Sequence, residues 1–193
     1  KSSTCELLYD LIKDDGVIDK DAATLLYLGI STDTGNFMHN NTTPSTLSAA
    51  SQLLSLGADL EKIINGFYKN NTKNKLMLTA KAIESIRFFR DDKIAVMTVT
   101  AKMLSECGCV MADTEGLIDY AMSIGSVRAA VCMCEQNVRS YKVSFRAKDV
   151  DVAAAAGTFG GGGHKLAAGC VVNGHYEDVV DKVVKAVSDG MTE

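Results

Sequence analysis

Four consecutive glycines, Gly160, Gly161, Gly162 and Gly163, run directly into His164 and Lys165, side chains that can donate to an anion. Glycine loses the most backbone entropy on folding and packs nothing. A run of it therefore serves where backbone N–H groups approach a ligand or take positive φ, and phosphate is the usual ligand for such a surface. A flexible linker is the alternative, but linkers are padded with serine and polar residues, whereas this run lies between apolar segments. Ala167-Ala168-Gly169 follow and leave room for something bulky. His164 could hydrogen-bond a phosphate oxygen or a leaving group. Upstream, Ser144 and Arg146 stand two residues apart on an expected strand and so share a face, and the arginine fork can grip a phosphate in two places. Asp33, in the turn Asp33-Thr34-Gly35-Asn36 after an apolar helix, offers a fixed carboxylate to a hard cation such as Mg²⁺ or Mn²⁺. Asp-Thr-Gly alone reads as an ordinary turn. Asp113 and Glu115 read equally well as an N-cap and a first-turn helix charge, Lys165 as an exposed lysine, and His39 and His175 as surface residues.

Taken together, Ser144-Phe145-Arg146, Val150-Asp151-Val152, Phe159 to His164 and Ala167-Ala168-Gly169 resemble the C-terminal domain associated with DHH-family phosphoesterases. Far upstream, Gly29-Ile30-Ser31-Thr32-Asp33-Thr34-Gly35-Asn36-Phe37 is similar to the fourth acidic motif of that family's catalytic domain. The motifs stand in the family's order, and the resemblance covers nearly the whole chain. The branch most resembled cleaves short oligoribonucleotides and 3′-phosphoadenosine 5′-phosphate. The family's earlier motifs, including the Asp-His-His run that names it, are absent from this sequence.

The resemblance implies an α/β protein in which residues 1–72 form the mostly helical C-terminal part of a DHH catalytic domain, 73–92 a linker helix, and 93–193 a smaller substrate-binding domain with a mixed sheet. It implies Asp33 as one ligand of a two-metal Mn²⁺ or Mg²⁺ centre in the complete protein, where metal-activated water attacks phosphorus in line. His164 would be catalytic, and Ser144, Arg146, His164 and the amides of Gly160, Gly161, Gly162 and Gly163 would hold a substrate phosphate. Asp113-Thr114-Glu115-Gly116 resembles a family segment facing the cleft, which makes Asp113 and Glu115 substrate-binding candidates. The expected partner is a short oligonucleotide or a nucleotide bisphosphate, and a homodimer is compatible with the reading. A nucleotide-binding chain without turnover is the first alternative, because a two-metal site needs several ligands and only Asp33 is in evidence. A cyclic-dinucleotide phosphodiesterase of the same superfamily is the second.

A chain of 193 residues with 47% apolar and 23% charged residues is long enough for one or two globular domains. No stretch approaches a membrane span and the start lacks a signal-peptide core, so a cytoplasmic protein is the expectation. Starting with lysine, the chain is expected to be a processed product, a fragment or part of something longer. The net charge of −4 argues against adhesion to long duplex nucleic acid, which needs a basic face. The cysteines Cys107 and Cys109, and Cys132 and Cys134, form two C-x-C pairs, whereas structural zinc sites usually space ligands by two to four residues. They read as reduced core thiols, like Cys5 and Cys170, with zinc the alternative.

Helical spacing predicts helices over 5–13 (capped by Thr4), from Asp19 through a stretch apolar all round, over 47–56 after Thr43-Pro44, over 60–69 after Asp59, and over 72–90. A strand at 93–100, apolar on both faces, should be covered on both. Short helices at 101–106 and 113–122, strands at 127–134 and 141–146 around a Glu135-Gln136-Asn137 turn, a helix at 150–156, a strand at 170–172 and a helix at 177–188 complete an α/β domain.

Overall fold

The computed structural model describes residues 1–191, which divide at the Asn71–Thr72 junction into two units. The first is helical. Its α1 (Thr4–Ile12) is capped by Ser3 rather than Thr4, the Ser3 hydroxyl accepting from the Glu6 amide at 3.0 Å. α2 (Lys20–Asp33) starts at Asp19 as expected, but it is buried on one side only: Ala23, Leu26, Tyr27 and Ile30 face the core while Leu25 is 67% exposed. α3 (Pro44–Ser55) has the Thr43 cap and proline start that the sequence predicts. The helix expected over 60–69 begins as α4 (Leu60–Ile63) and then widens into a π-helical turn, Ile64–Tyr68. There Gly66 weakens regular helix, and Tyr68 reaches Ser31 Oγ at 2.5 Å.

One buried charge holds this unit together. Glu6 is fully buried, and its carboxylate accepts hydrogen bonds from the Ser2 amide (2.7 Å), Ser2 Oγ (2.6 Å), Ser45 Oγ (2.8 Å) and Thr46 Oγ1 (3.0 Å), with Lys1 Nζ at 3.3 Å. Burial alone would raise its pKa, but these donors more than offset that and hold it at about 2. The carboxylate thereby ties α1 to the start of α3.

The second unit opens with α5 (Lys73–Glu84). The helix expected to run to Arg90 stops here, because the Ser85 hydroxyl accepts from the Thr98 amide at 2.9 Å and Arg87–Phe89 pairs as strand β1. A turn at Arg90, Asp91 and Asp92, all at positive φ, leads into β2 (Ile94–Val99), buried along its whole length as a doubly covered strand should be. α6 (Ala101–Cys107) ends at Gly108 in the left-handed conformation. The helix expected over 113–122 is instead a 3₁₀ turn, Met111–Thr114, then α7 (Ile118–Met122), separated by Gly116 at φ 83°. Strands β3 (Ala129–Asn137) and β4 (Ser140–Ala147) continue past the expected turn, which falls at Val138-Arg139 with a register shift between Glu135 and Asn137. α8 (Val152–Gly157), β5 (Gly162–His164), β6 (Ala167–Asn173) and α9 (Tyr176–Asp189) follow.

The sheet is six-stranded and mixed, in the order β1-β2-β3-β4-β6-β5, with β2 and β3 parallel and the other neighbours antiparallel. Strand alternation sorts its side chains. One face, with Val96, Val131, Phe145, Ala168 and Cys170, is sealed by α8 and by the valines of α9. On the other face, Ala95, Met97, Ala130, Cys132 and Cys134 of β2 and β3 pack under residues of α5, α6 and α7. That helical layer contributes no core residue over β6 or β5, so the far end of the sheet is left bare.

Candidate functional site

The bare face has a definite order. Ser144 pairs with Gly169, which pairs with Gly162; Arg146 pairs with Ala167, which pairs with His164. Cross-strand partners share a face, so Ser144, Arg146 and His164 project to the same side, with Ala167 and Gly169 between them. Strands lie about 4.8 Å apart, which puts the Arg146 and His164 backbones roughly 10 Å from each other. The result is a trough floored by Ala167 and Gly169 and walled by β4 and β5. Of the small residues expected to leave room, Ala168 faces the core instead.

The glycines divide by role. Gly160 is required by its φ of 73°, whereas a Cβ at Gly161 or Gly163 would overlap the backbone of β6, so those two are required by close approach to that strand. At Gly162 φ is ordinary and a Cβ would meet nothing within 4 Å, and its pairing with Gly169 puts it on the trough side. The run expected to be a loop is in part an edge strand, since Gly162, Gly163 and His164 pair with β6.

At the β4 wall the trough meets a cavity of about 310 Å³ lined by Lys142, Ser144 and Arg146 from β4, Cys132 and Cys134 from β3, and Met111, Thr114 and Glu115 from the segment before α7. Arg146 is exposed; its Nη1 donates to its neighbour's carbonyl, Phe145 O, at 3.1 Å, and it has no carboxylate partner among the described residues. A guanidinium left without a counter-ion beside a cavity is suited to an anion. Lys142, which no motif marks, continues the two-residue spacing of Ser144 and Arg146. Glu115 lines the cavity, whereas Asp113 does not. Its carboxylate accepts from the Val110 amide at 2.8 Å and closes the 3₁₀ turn.

Asp33 lies in the first unit, as the last residue of α2, with an exposed side chain. Its turn is unusual: Gly35, Asn36 and Phe37 all have positive φ (55°, 56° and 65°), which is costly for phenylalanine. Hydrogen bonds fix it. Buried Thr34 accepts from the Phe37 amide at 3.1 Å, Asn36 N donates to Ser31 O at 2.7 Å, and Asn41 Nδ2 donates to the Asp33 carbonyl at 3.1 Å. His39 packs its ring against Gly35. Among the described residues no group of three or more His, Cys, Asp or Glu is placed to hold a metal, so Asp33 could serve a cation only with ligands added to these. All six cysteines are free.

Fold and site together define an α/β sheet domain with one bare, donor-rich face, preceded by a helical unit that ends its second helix in a strained acidic turn. The chain belongs to the DHHA1 domain family, whose model matches residues 91–193; this is the DHH-associated C-terminal domain that the sequence motifs resemble. Over 95% of its length it is 28% identical to the bifunctional oligoribonuclease and PAP phosphatase NrnA of Bacillus subtilis, and over 93% it is 28% identical to the A-adding tRNA nucleotidyltransferase of Aquifex aeolicus. The crystal structure of an exopolyphosphatase-related protein from Bacteroides fragilis superposes with a TM-score of 0.88 at 27% identity, covering 98% of this chain and 57% of that one. The chain spans 58% of the B. subtilis protein and 22% of the A. aeolicus protein.

Proposed function

We propose that this chain is the substrate-holding part of a metal-dependent phosphoesterase acting on short oligoribonucleotides or adenosine 3′,5′-bisphosphate. The observation that carries the reading is the trough in which Arg146, Ser144 and His164 share a face over the side-chain-poor floor of Ala167 and Gly169. Arg146 grips a non-bridging phosphate oxygen pair, Ser144 Oγ and Lys142 Nζ donate from the same strand, and His164 donates to an oxygen from the opposite wall. Gly162 leaves that wall without a side chain, so a phosphate can approach the backbone. Asp33 holds one cation of an Mn²⁺ or Mg²⁺ pair, whose chemistry is to activate water and neutralise the leaving oxygen. The remaining ligands of such a pair come from outside the described residues. On this reading the protein works in the cytoplasm on substrates of one or a few nucleotides.

The test has two arms. Calorimetry should show that the 193-residue chain binds adenosine 3′,5′-bisphosphate and that Arg146→Ala weakens binding at least tenfold with the circular dichroism unchanged. The chain alone should release no phosphate with Mn²⁺, while a longer form carrying Asp-His-His should be active and lose activity on Asp33→Ala. Robust Mn²⁺-dependent turnover by this chain, free of contaminating phosphatase, would overturn the metal assignment; unchanged affinity in Arg146→Ala would overturn the assignment of the trough.

A further inference from the structure

The cavity beside Lys142, Ser144 and Arg146 also carries sulfur. Cys132 and Cys134, two apart on β3 and so on one face, point their thiols at each other with Sγ···Sγ of 3.8 Å, and both line the cavity. They pair in register with Ser144 and Lys142, the donors of the β4 wall. Met111 lines the same space. The other C-x-C pair lacks this arrangement, since Cys109 Sγ is turned to the Cys107 carbonyl at 3.8 Å.

We propose that Cys132 and Cys134 form a two-thiolate site for a soft, thiophilic d¹⁰ cation, such as Zn²⁺, Cd²⁺ or Cu(I), in the wall of the anion cavity. Two sulfurs 3.8 Å apart, each about 2.3 Å from one ion, subtend an angle of about 110° at it, which is the tetrahedral value. Sulfur donors favour such ions over the hard cations expected at Asp33. Among the described residues no third His, Cys, Asp or Glu is placed to join the two thiols on a metal, so the site is not a closed four-ligand structural one and keeps positions open toward the cavity. A disulfide fits this pair poorly. Residues two apart on a strand stand about 6.6 Å from each other with parallel Cα–Cβ bonds, whereas a bridge needs the Cβ atoms about 3.8 Å apart.

A divalent ion binds by displacing the two thiol protons, forming two metal–sulfur bonds and releasing those protons to solvent.

The probe is Cd²⁺ alone, titrated into the reduced, oxygen-free chain. The ultraviolet thiolate-to-cadmium band should saturate at one equivalent in the wild type and in a Cys107→Ser/Cys109→Ser variant. Cys134→Ser should weaken binding at least tenfold. Because a core cysteine variant can fail to fold, a second readout uses the wild type: bound Cd²⁺ should protect the peptide containing Cys132 and Cys134 from slow alkylation while the other thiols react at unchanged rates. Protection at Cys107 and Cys109 instead, or a full-strength band in folded Cys134→Ser, would overturn the proposal.

Discussion

Replacing Gly162 and Gly163 by the same side chain separates what the glycine run does for the fold from what it does for a ligand. At Gly162 a Cβ meets nothing within 4 Å and φ is not in the left-handed region, so valine should change stability by less than about 1 kcal/mol. Its side chain projects into the trough opposite Ser144, and we expect affinity for adenosine 3′,5′-bisphosphate to fall at least tenfold, or about 1.4 kcal/mol. At Gly163, φ is 151° and a Cβ would overlap Ala167 and Ala168 of β6. Overpacking of that kind costs about 1–3 kcal/mol and an unfavourable backbone region about 1–3 more, so Gly163→Val should lose roughly 2–6 kcal/mol. Urea unfolding and calorimetry on the two variants measure both quantities. A Gly162→Val variant that is strongly destabilised, or one that is stable and binds nucleotide as well as the wild type, refutes the division of roles.

The buried Glu6 makes stability pH-dependent. Its folded pKa is depressed from 4.5 to about 2, so its contribution is fully present above about pH 4.5 and is lost as pH falls through about 2. The shift corresponds to roughly 3 kcal/mol. Urea midpoints of the wild type should fall across that window, and those of Glu6→Gln should be lower at neutral pH and much flatter; parallel pH profiles would contradict the role. Arg146→Lys keeps the charge but loses the fork, so calorimetry should find most of the loss seen in Arg146→Ala; a lysine variant binding like wild type would reduce the contact to simple charge.

Much of this architecture was legible because it rests on local signals. Thr43-Pro44, Asp19 and Asp59 start helices where capping chemistry says they should, and the doubly apolar run from Ile94 to Val99 is a strand buried on both faces. What local signals do not show depends on long-range pairing. Arg87–Phe89 continues a helical pattern in sequence, yet it becomes a strand because β2 offers an edge and Ser85 caps the helix before it. Gly162 to His164 look like loop residues, yet they pair because β6 opposite is small enough to be approached. Ser144, Arg146 and His164 were named from motifs, and only the register shows them on one face; Lys142 lay one step along the same alternation. Two of the donors to Glu6 come from residues 45 and 46, which stand 39 and 40 positions away, a distance no local pattern spans.

The placement of the binding face can be measured directly by titrating the isotope-labelled chain with adenosine 3′,5′-bisphosphate and following backbone amide resonances. Saturable shifts should concentrate on Ser144 to Arg146, Gly162 to His164, and Ala167 to Gly169, and disappear in Arg146→Ala. Saturable shifts confined to residues outside those three segments, or an unchanged pattern in Arg146→Ala, would show that the nucleotide is held somewhere else.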